Sequence, residues 1–109
     1  MIPKHPELLK AHACYLALIQ DCDIPSHMVD SVLRYVLFGA CGGSFLRSVL
    51  ENNLCLATQY ADSVNRNSFR AYCTLLCSLP RYMWGSPEVV QAWADHNGLA
   101  KDIDKEDWF

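Results

Sequence analysis

At 109 residues the chain is long enough for one domain to bury a core without metal or disulfide support. It is 51% apolar and 19% charged, an ordinary globular balance, and its net charge of −3 argues against a general nucleic-acid or anionic-membrane binder, though it leaves room for a local basic patch. No apolar run reaches the roughly 18 residues of a membrane span, and Lys4, His5, Glu7 and Lys10 interrupt any apolar opening of the kind a secretory leader needs, so a cytoplasmic protein is expected.

The first six residues form a short lead in which Pro3 and Pro6 oppose early helix. From Glu7 to about Asp21 the spacing predicts a helix, with Leu8, His12, Tyr15, Leu16 and Ile19 on one stripe and Glu7, Lys10 and Cys14 facing away. Asp21 to Pro25 is a break. Pro25 or Ser26 then opens a second helix to Phe38, the cleanest amphipathic pattern in the chain. Its buried face is Met28, Val29, Val32, Leu33 and Val36, and its wet face is His27, Asp30, Ser31 and Arg34.

Gly39 stops that helix as a left-handed residue does at low cost. Gly42 and Gly43 give a tight connection. Ser44 stands where a cap belongs, ahead of a short helix to Glu51 that turns Phe45, Leu46, Val49 and Leu50 inward. Asn53 caps a further helix from Leu54 to Ala61, whose inward residues are expected to be Leu54, Ala57 and Ala61. Asp62 or Ser63 caps the next, which is read as one continuous helix to Ser78 or Leu79 with a stripe of Phe69, Tyr72, Cys73, Leu76 and Leu79. Pro80 ends it. Arg81 to Gly85 is a loop dense in aromatics. Ser86, Pro87 and Glu88 make a strong helix start, namely a serine cap, a proline at the first position and an acid in the first turn. Val89, Val90 and Trp93 face inward, and Gly98 stops this helix. Residues 1–99 therefore read as a helical domain. Residues 100–109 read as an acidic tail, mobile by its charge, that closes on two aromatics, Trp108 and Phe109, costly to leave in water. No repeat, low-complexity segment or strand pattern is present. The fold class is all-α: a compact single domain of five or six short helices packed antiparallel, because the connections are short.

The chemistry that would mark an enzyme is missing from the pattern. Gly39, Gly42, Gly43 and Ser44 resemble a phosphate loop only in spacing. They lack its lysine and follow a helix rather than a strand. No serine sits in a nucleophile motif. The six cysteines (Cys14, Cys22, Cys41, Cys55, Cys73 and Cys77) contain no Cys-x-x-Cys pair and are expected to be reduced thiols serving as small apolar residues. Cys73 and Cys77 lie four apart but have no third ligand near in sequence, and His5, His12, His27 and His96 fall on different segments, so neither a metal nor a cofactor is expected. His12, within an apolar stripe, reads as a hydrogen-bonded boundary residue.

Two constellations suit binding. The second helix, the glycine corner and the helix after it, residues 26–52, have the outline of a helix-turn-helix that would offer Arg47, Ser48, Glu51 and Asn52 to a groove. Only Arg34 and Arg47 are basic there, and Glu51 would face phosphate. The row Arg66, Asn67, Arg70 and Thr74 suits a phosphate backbone or an acidic protein surface. Ordinary corner packing and a solvated helix face are the plainer readings of the two.

Across Ile24 to Trp93 the chain resembles a family of small proteins encoded by bacteriophages and prophages. The resemblance is carried by Ile24 and Pro25; Arg34, Tyr35 and Val36; Gly39; Gly43 through Leu46; Val49 and Leu50; Asn52, Asn53 and Leu54; Ala61 and Asp62; Asn65; Pro80; Trp84 through Glu88; and Trp93. Ala40, Cys41 and Gly42 depart from the more regular turn of that family, as does Asn53 where an aspartate is usual. The resemblance implies a phage or prophage origin and an accessory role in the host cytoplasm. By analogy of size and origin, it implies stoichiometric inhibition of a host defence complex such as a CRISPR–Cas effector. The expected partner is thus a host protein or ribonucleoprotein rather than a membrane or nucleic acid. Arg34, Arg47, Arg66, Asn67, Arg70, Thr74, Trp84, Trp108 and Phe109 are the candidate contact residues. A small DNA-binding regulator and a self-associating assembly protein are the alternatives, and the chain is expected to be a monomer or a homodimer.

Overall fold

The computed structural model describes Ile2 to Phe109, and every regular element among the described residues is helical. In chain order these are α1 (Pro6–Asp21), α2 (Ser26–Phe38), α3 (Ser44–Leu50), α4 (Leu54–Tyr60), α5 (Ser63–Arg66), α6 (Phe69–Ser78) and α7 (Pro87–Asp95), with single 3-10 turns at Arg81–Met83, Gly98–Ala100 and Lys105–Asp107. The all-α single domain is therefore found, with seven helices in place of five or six. Met1, the start of the expected lead, lies outside the described residues.

The added helix comes from a break at Asn67 and Ser68 inside the stretch predicted to be continuous. Three poor helix formers crowd it, and each gives its side chain a local bond. The Asn67 amide donates to the Ser63 carbonyl at 3.0 Å, the Ser68 hydroxyl donates to the Val64 carbonyl at 2.8 Å, and the Asn65 side-chain oxygen accepts from the Tyr72 hydroxyl at 2.7 Å. The first two, made to backbone carbonyls, compete with the helical ladder. The backbone tightens to three-residue spacing, Asn67 to Val64 and Ser68 to Asn65, before α6 restarts. The restart rotates the buried stripe of α6 to Tyr72, Leu75, Leu76 and Leu79, with Cys73 exposed.

α2 is the hub. Its first half is amphipathic as expected, but Tyr35, Leu37 and Phe38 are buried along with Val32, Leu33 and Val36, so its last turn is covered on every side. One face joins the main core of Ile19, Leu33, Tyr35, Val36, Leu46, Leu50, Tyr72, Leu75, Met83, Val90 and Trp93. The other face, Leu37 and Phe38, meets Leu8 and Ala100 in a smaller second core. Tyr35 ties three elements together. Its carbonyl accepts the Trp93 indole N–H at 2.9 Å, and its hydroxyl donates to the Met83 carbonyl in the 3-10 turn. Gly39 ends α2 in the left-handed conformation (φ 74°) and lies backbone to backbone with Gly98 (φ 59°). A Cβ on Gly39 would stand 2.7 Å from the Trp93 carbonyl, and one on Gly98 would stand 2.7 Å from the Gly39 nitrogen.

Capping follows the sequence at three helix starts. Asn53, Asp62 and Ser86 accept from Leu56, Asn65 and Val89. Pro6 opens α1 rather than opposing it, because a proline at the first helical position gives up an N–H that has no partner there, and His5 accepts from Glu7. Ser44 is not a cap. It is the first residue of α3, behind an uncapped Gly43. Gly42 and Gly43 have negative or extended φ and open space about them, so that turn does not need glycine. α7 stops at Asp95, three residues before Gly98, because Asn97 already adopts the left-handed conformation (φ 61°). Leu54 is 71% exposed: α4 seats itself only through its small residue Ala57, with Ala61 buried just beyond its end, which leaves its leucines at the rim.

The tail does not extend into solvent. Lys4 and His5 donate to the Trp108 and Asp107 carbonyls at 2.9 and 3.1 Å, and the Phe38 ring meets the Trp108 and Phe109 rings at 4.6 and 5.2 Å. Phe38 offers the aromatic surface that offsets the charge of the tail.

Candidate binding surface

A surface concavity of about 590 Å³ lies between the Arg81–Met83 turn, the end of α7 and the residues that follow it. Trp93 is its floor, and the Tyr82 and His96 rings stand at 5.4 and 5.3 Å from the indole. His96 is nearly parallel to Trp93, at 12°, and Tyr82 is tilted by 47°. Leu99 adds an apolar wall, and Lys101 and Asp102 complete the lining. Trp93 is held by its bond to Tyr35, and His96 by a 2.8 Å contact from Nδ1 to the Gly98 carbonyl. A carbonyl only accepts, so Nδ1 carries the hydrogen and, in the neutral ring, Nε2 is an acceptor. Tyr82 is 59% exposed. The volume falls within the range of small-ligand and side-chain pockets, and rings with a few polar groups are the usual lining of such sites.

The residues singled out in the sequence do not gather at one place. Arg66 and Arg70, read as neighbours on one rigid helix, stand on α5 and α6, on either side of the break. Asn67, Arg70 and Thr74 line a shallow hollow together with Asp21 and Asp23, whose carboxylates oppose an anion there. Arg34 is paired with Asp30 at 2.8 Å on the exposed face of α2. Arg47 is paired with Glu51 at 2.8 Å and donates to Gln91 on α7 at 3.3 Å. Ser48 is buried and donates to the Ser44 carbonyl. The face of α3 that a helix-turn-helix would present is thus committed to bonds within the chain. Trp84 is half-buried against the main core, donates to the Leu79 carbonyl and lies under the Arg81 guanidinium at 4.6 Å. Trp108 packs into the second core, and Phe109 is 59% exposed beside it.

The aromatic concavity was not assembled from the sequence. The sequence pattern puts Tyr82 in an aromatic loop, Trp93 in the core and His96 among scattered histidines, while Leu99, Lys101 and Asp102 fall at or beyond the end of the last expected helix. The signal available was the three-residue interval from Trp93 to His96, which sets both rings on one side of α7.

The cysteines divide. Cys22 is buried and Cys41 half-buried, and burial pushes both thiols up. Cys14, Cys55, Cys73 and Cys77 are exposed, so the expected apolar role holds for Cys22 and in part for Cys41. No cluster of three or more metal-ligating side chains occurs among the described residues, and none of their helices is long and apolar enough to cross a membrane. Comparison of the chain with protein-family models, with characterised proteins and with solved structures returns no match.

Proposed function

We propose that this chain acts by stoichiometric binding, as a phage or prophage accessory protein that occludes a host defence complex, with a CRISPR–Cas effector the foremost target. The observation that carries the binding reading is the concavity of Trp93, Tyr82 and His96, in which Trp93 and His96 are each hydrogen-bonded to a backbone carbonyl. Side chains so held lose little entropy when a partner seats on them, and aromatics are enriched among the residues that dominate interface energetics. The choice of a host defence complex rests on the resemblance to phage-encoded proteins. Tagged protein captured from a lysate that contains the effector should hold it at a fixed ratio and should inhibit its nuclease activity. Recovery of the effector in the flow-through, with full activity, would sink the reading. Two variants locate the contact. Tyr82→Ala weakens capture if the concavity carries it, and Arg66→Glu with Arg70→Glu weakens it if the arginine row does.

Self-association is the second reading, favoured by the exposure of Leu54, Leu56, Tyr60 and Val64 on α4 and α5. Sedimentation over a hundredfold concentration range separates the two: a mass that rises without any host component supports self-association.

A further inference from the structure

We infer that the Trp93 concavity seats one aromatic side chain of the partner, carrying an N–H or O–H donor; this rests on the binding reading above. Three features select that occupant. Tyr82 and His96 already pack on Trp93, at 5.4 and 5.3 Å, and leave it buried, so the surface offered to a partner is the exposed sides of these two rings, with His96 anchored to the Gly98 carbonyl. A flat ring laid against either of them meets the geometry in which aromatic pairs are most favourable. The His96 tautomer then matters. With Nδ1 bonded to the Gly98 carbonyl, Nε2 of the neutral ring is an acceptor, and no hydrogen bond to it occurs among the described residues. An indole N–H or a phenol O–H satisfies it, whereas a phenylalanine or leucine side chain leaves it dry and unpaired, at a cost.

Charge gives the third argument. Lys101 and Asp102 line the same concavity, and among the described residues neither takes part in an ion pair. A phosphate drawn to Lys101 meets the Asp102 carboxylate, and a cation drawn to Asp102 meets Lys101. A neutral ring meets neither penalty, and the two free charges remain for polar groups of the partner that flank the ring. Tyr82, exposed yet held at 5.4 Å from Trp93, is the wall such a side chain would cover.

The probe is N-acetyl-tryptophanamide, titrated into the isotope-labelled full chain while the amide signals of Gly98 and Leu99 and the indole signal of Trp93 are followed. A saturable shift confined to these signals is expected, at the millimolar strength of a single side chain. The N1-methylated probe, which lacks the donor, should bind about fivefold more weakly. Tyr82→Ala should weaken the parent probe about tenfold. His96→Phe keeps a stacked ring but removes the acceptor, and should erase the difference between the two probes. Both positions are exposed, and circular dichroism checks that each variant is folded. Absence of a saturable shift overturns the inference. So does equal binding of N-acetyl-leucinamide, or tighter binding of adenosine monophosphate, which would assign the concavity to a nucleobase. Capture of a partner that is indifferent to both substitutions overturns it while leaving the binding reading intact. Probe binding by a chain that captures nothing supports the aromatic seat and sinks that reading instead.

Discussion

Gly39 and Gly98 bear the tightest constraint on residue identity in the chain. Both have positive φ, and each leaves space only for a hydrogen where the other backbone passes. Gly39→Ala incurs the left-handed penalty of about 1–2 kcal/mol and must also displace the Trp93 carbonyl, an overpacking cost of about 1–3 kcal/mol. A loss of about 2–5 kcal/mol in urea unfolding is expected. Gly42→Ala, with open space and no positive φ, should fall within about 0.5 kcal/mol of the parent. Equal effects at the two positions would refute the interlock. Tyr35 is the second residue on which much depends. Burial pushes its phenol well above the ordinary 10.0, and that of Tyr72 likewise, so both stay protonated donors through neutral and mildly alkaline pH. Tyr35→Phe leaves the buried Met83 carbonyl without its donor and should cost about 1–3 kcal/mol. The sign of the pH effect follows from the raised values. The stabilisation is complete below pH 10.0, the ordinary value, and is lost as pH rises above it, because the unfolded chain ionises first. Absorbance titration should find two of the five tyrosines silent until the chain unfolds in alkali.

At the scale of elements, legibility tracked how local the determining interaction is. The start of α7 was readable because Ser86, Pro87 and Glu88 act within one turn, and so was the end of α2 at Gly39. The stripe of α6 was misread because its phase is set by a bond from Tyr72 back to Asn65 across a break that helical periodicity does not reveal. Leu54 was misread because periodicity identifies an apolar residue and not the depth at which its helix sits. The arginine row lost its common helix to the same break. The aromatic concavity is not legible locally because it joins the Arg81–Met83 turn to the end of α7 and the residues after it, and Tyr35 on distant α2 holds both the turn, through the Met83 carbonyl, and Trp93. α5, a single turn, depends on its cap, and this gives the prediction for this scale. The Asn65 backbone N–H, foremost, and His27 at 3.0 Å hold the Asp62 carboxyl below its ordinary 3.8. A depressed carboxylate stabilises fully above the unfolded value and loses that contribution as pH falls through the folded one. Asp62→Ala should therefore lower the melting temperature at pH 7. The gap between variant and parent should narrow once the pH drops below 3.8, and a gap constant down to pH 2 would show that the charge is irrelevant.

For the molecule as a whole, the two cores share α2, and the N-terminal lead and the tail close over the smaller one. That arrangement predicts cooperative unfolding, since neither core keeps its boundary once α2 leaves. The cysteines supply built-in reporters of it. Cys14, Cys55, Cys73 and Cys77 are exposed on the surface and should react with a thiol reagent within the mixing time expected for unhindered thiols at their pH. Cys41 is half-buried, its thiol pushed up by burial beside the Arg47–Glu51 pair, and should react in a slower phase that needs only local opening of the glycine corner. Cys22 is buried at the end of α1, beside Ser78 of α6, so its thiol is reached when the end of α1 parts from α6. Its labelling rate should then follow the global equilibrium constant, rising with urea on the same slope as the circular dichroism transition. Four fast thiols, one intermediate and one coupled to unfolding are expected in the native protein, and six equivalent thiols in denaturant. If Cys22 is labelled with a shallower urea dependence than the global transition, α1 detaches by itself, and the two cores are separate cooperative units rather than one.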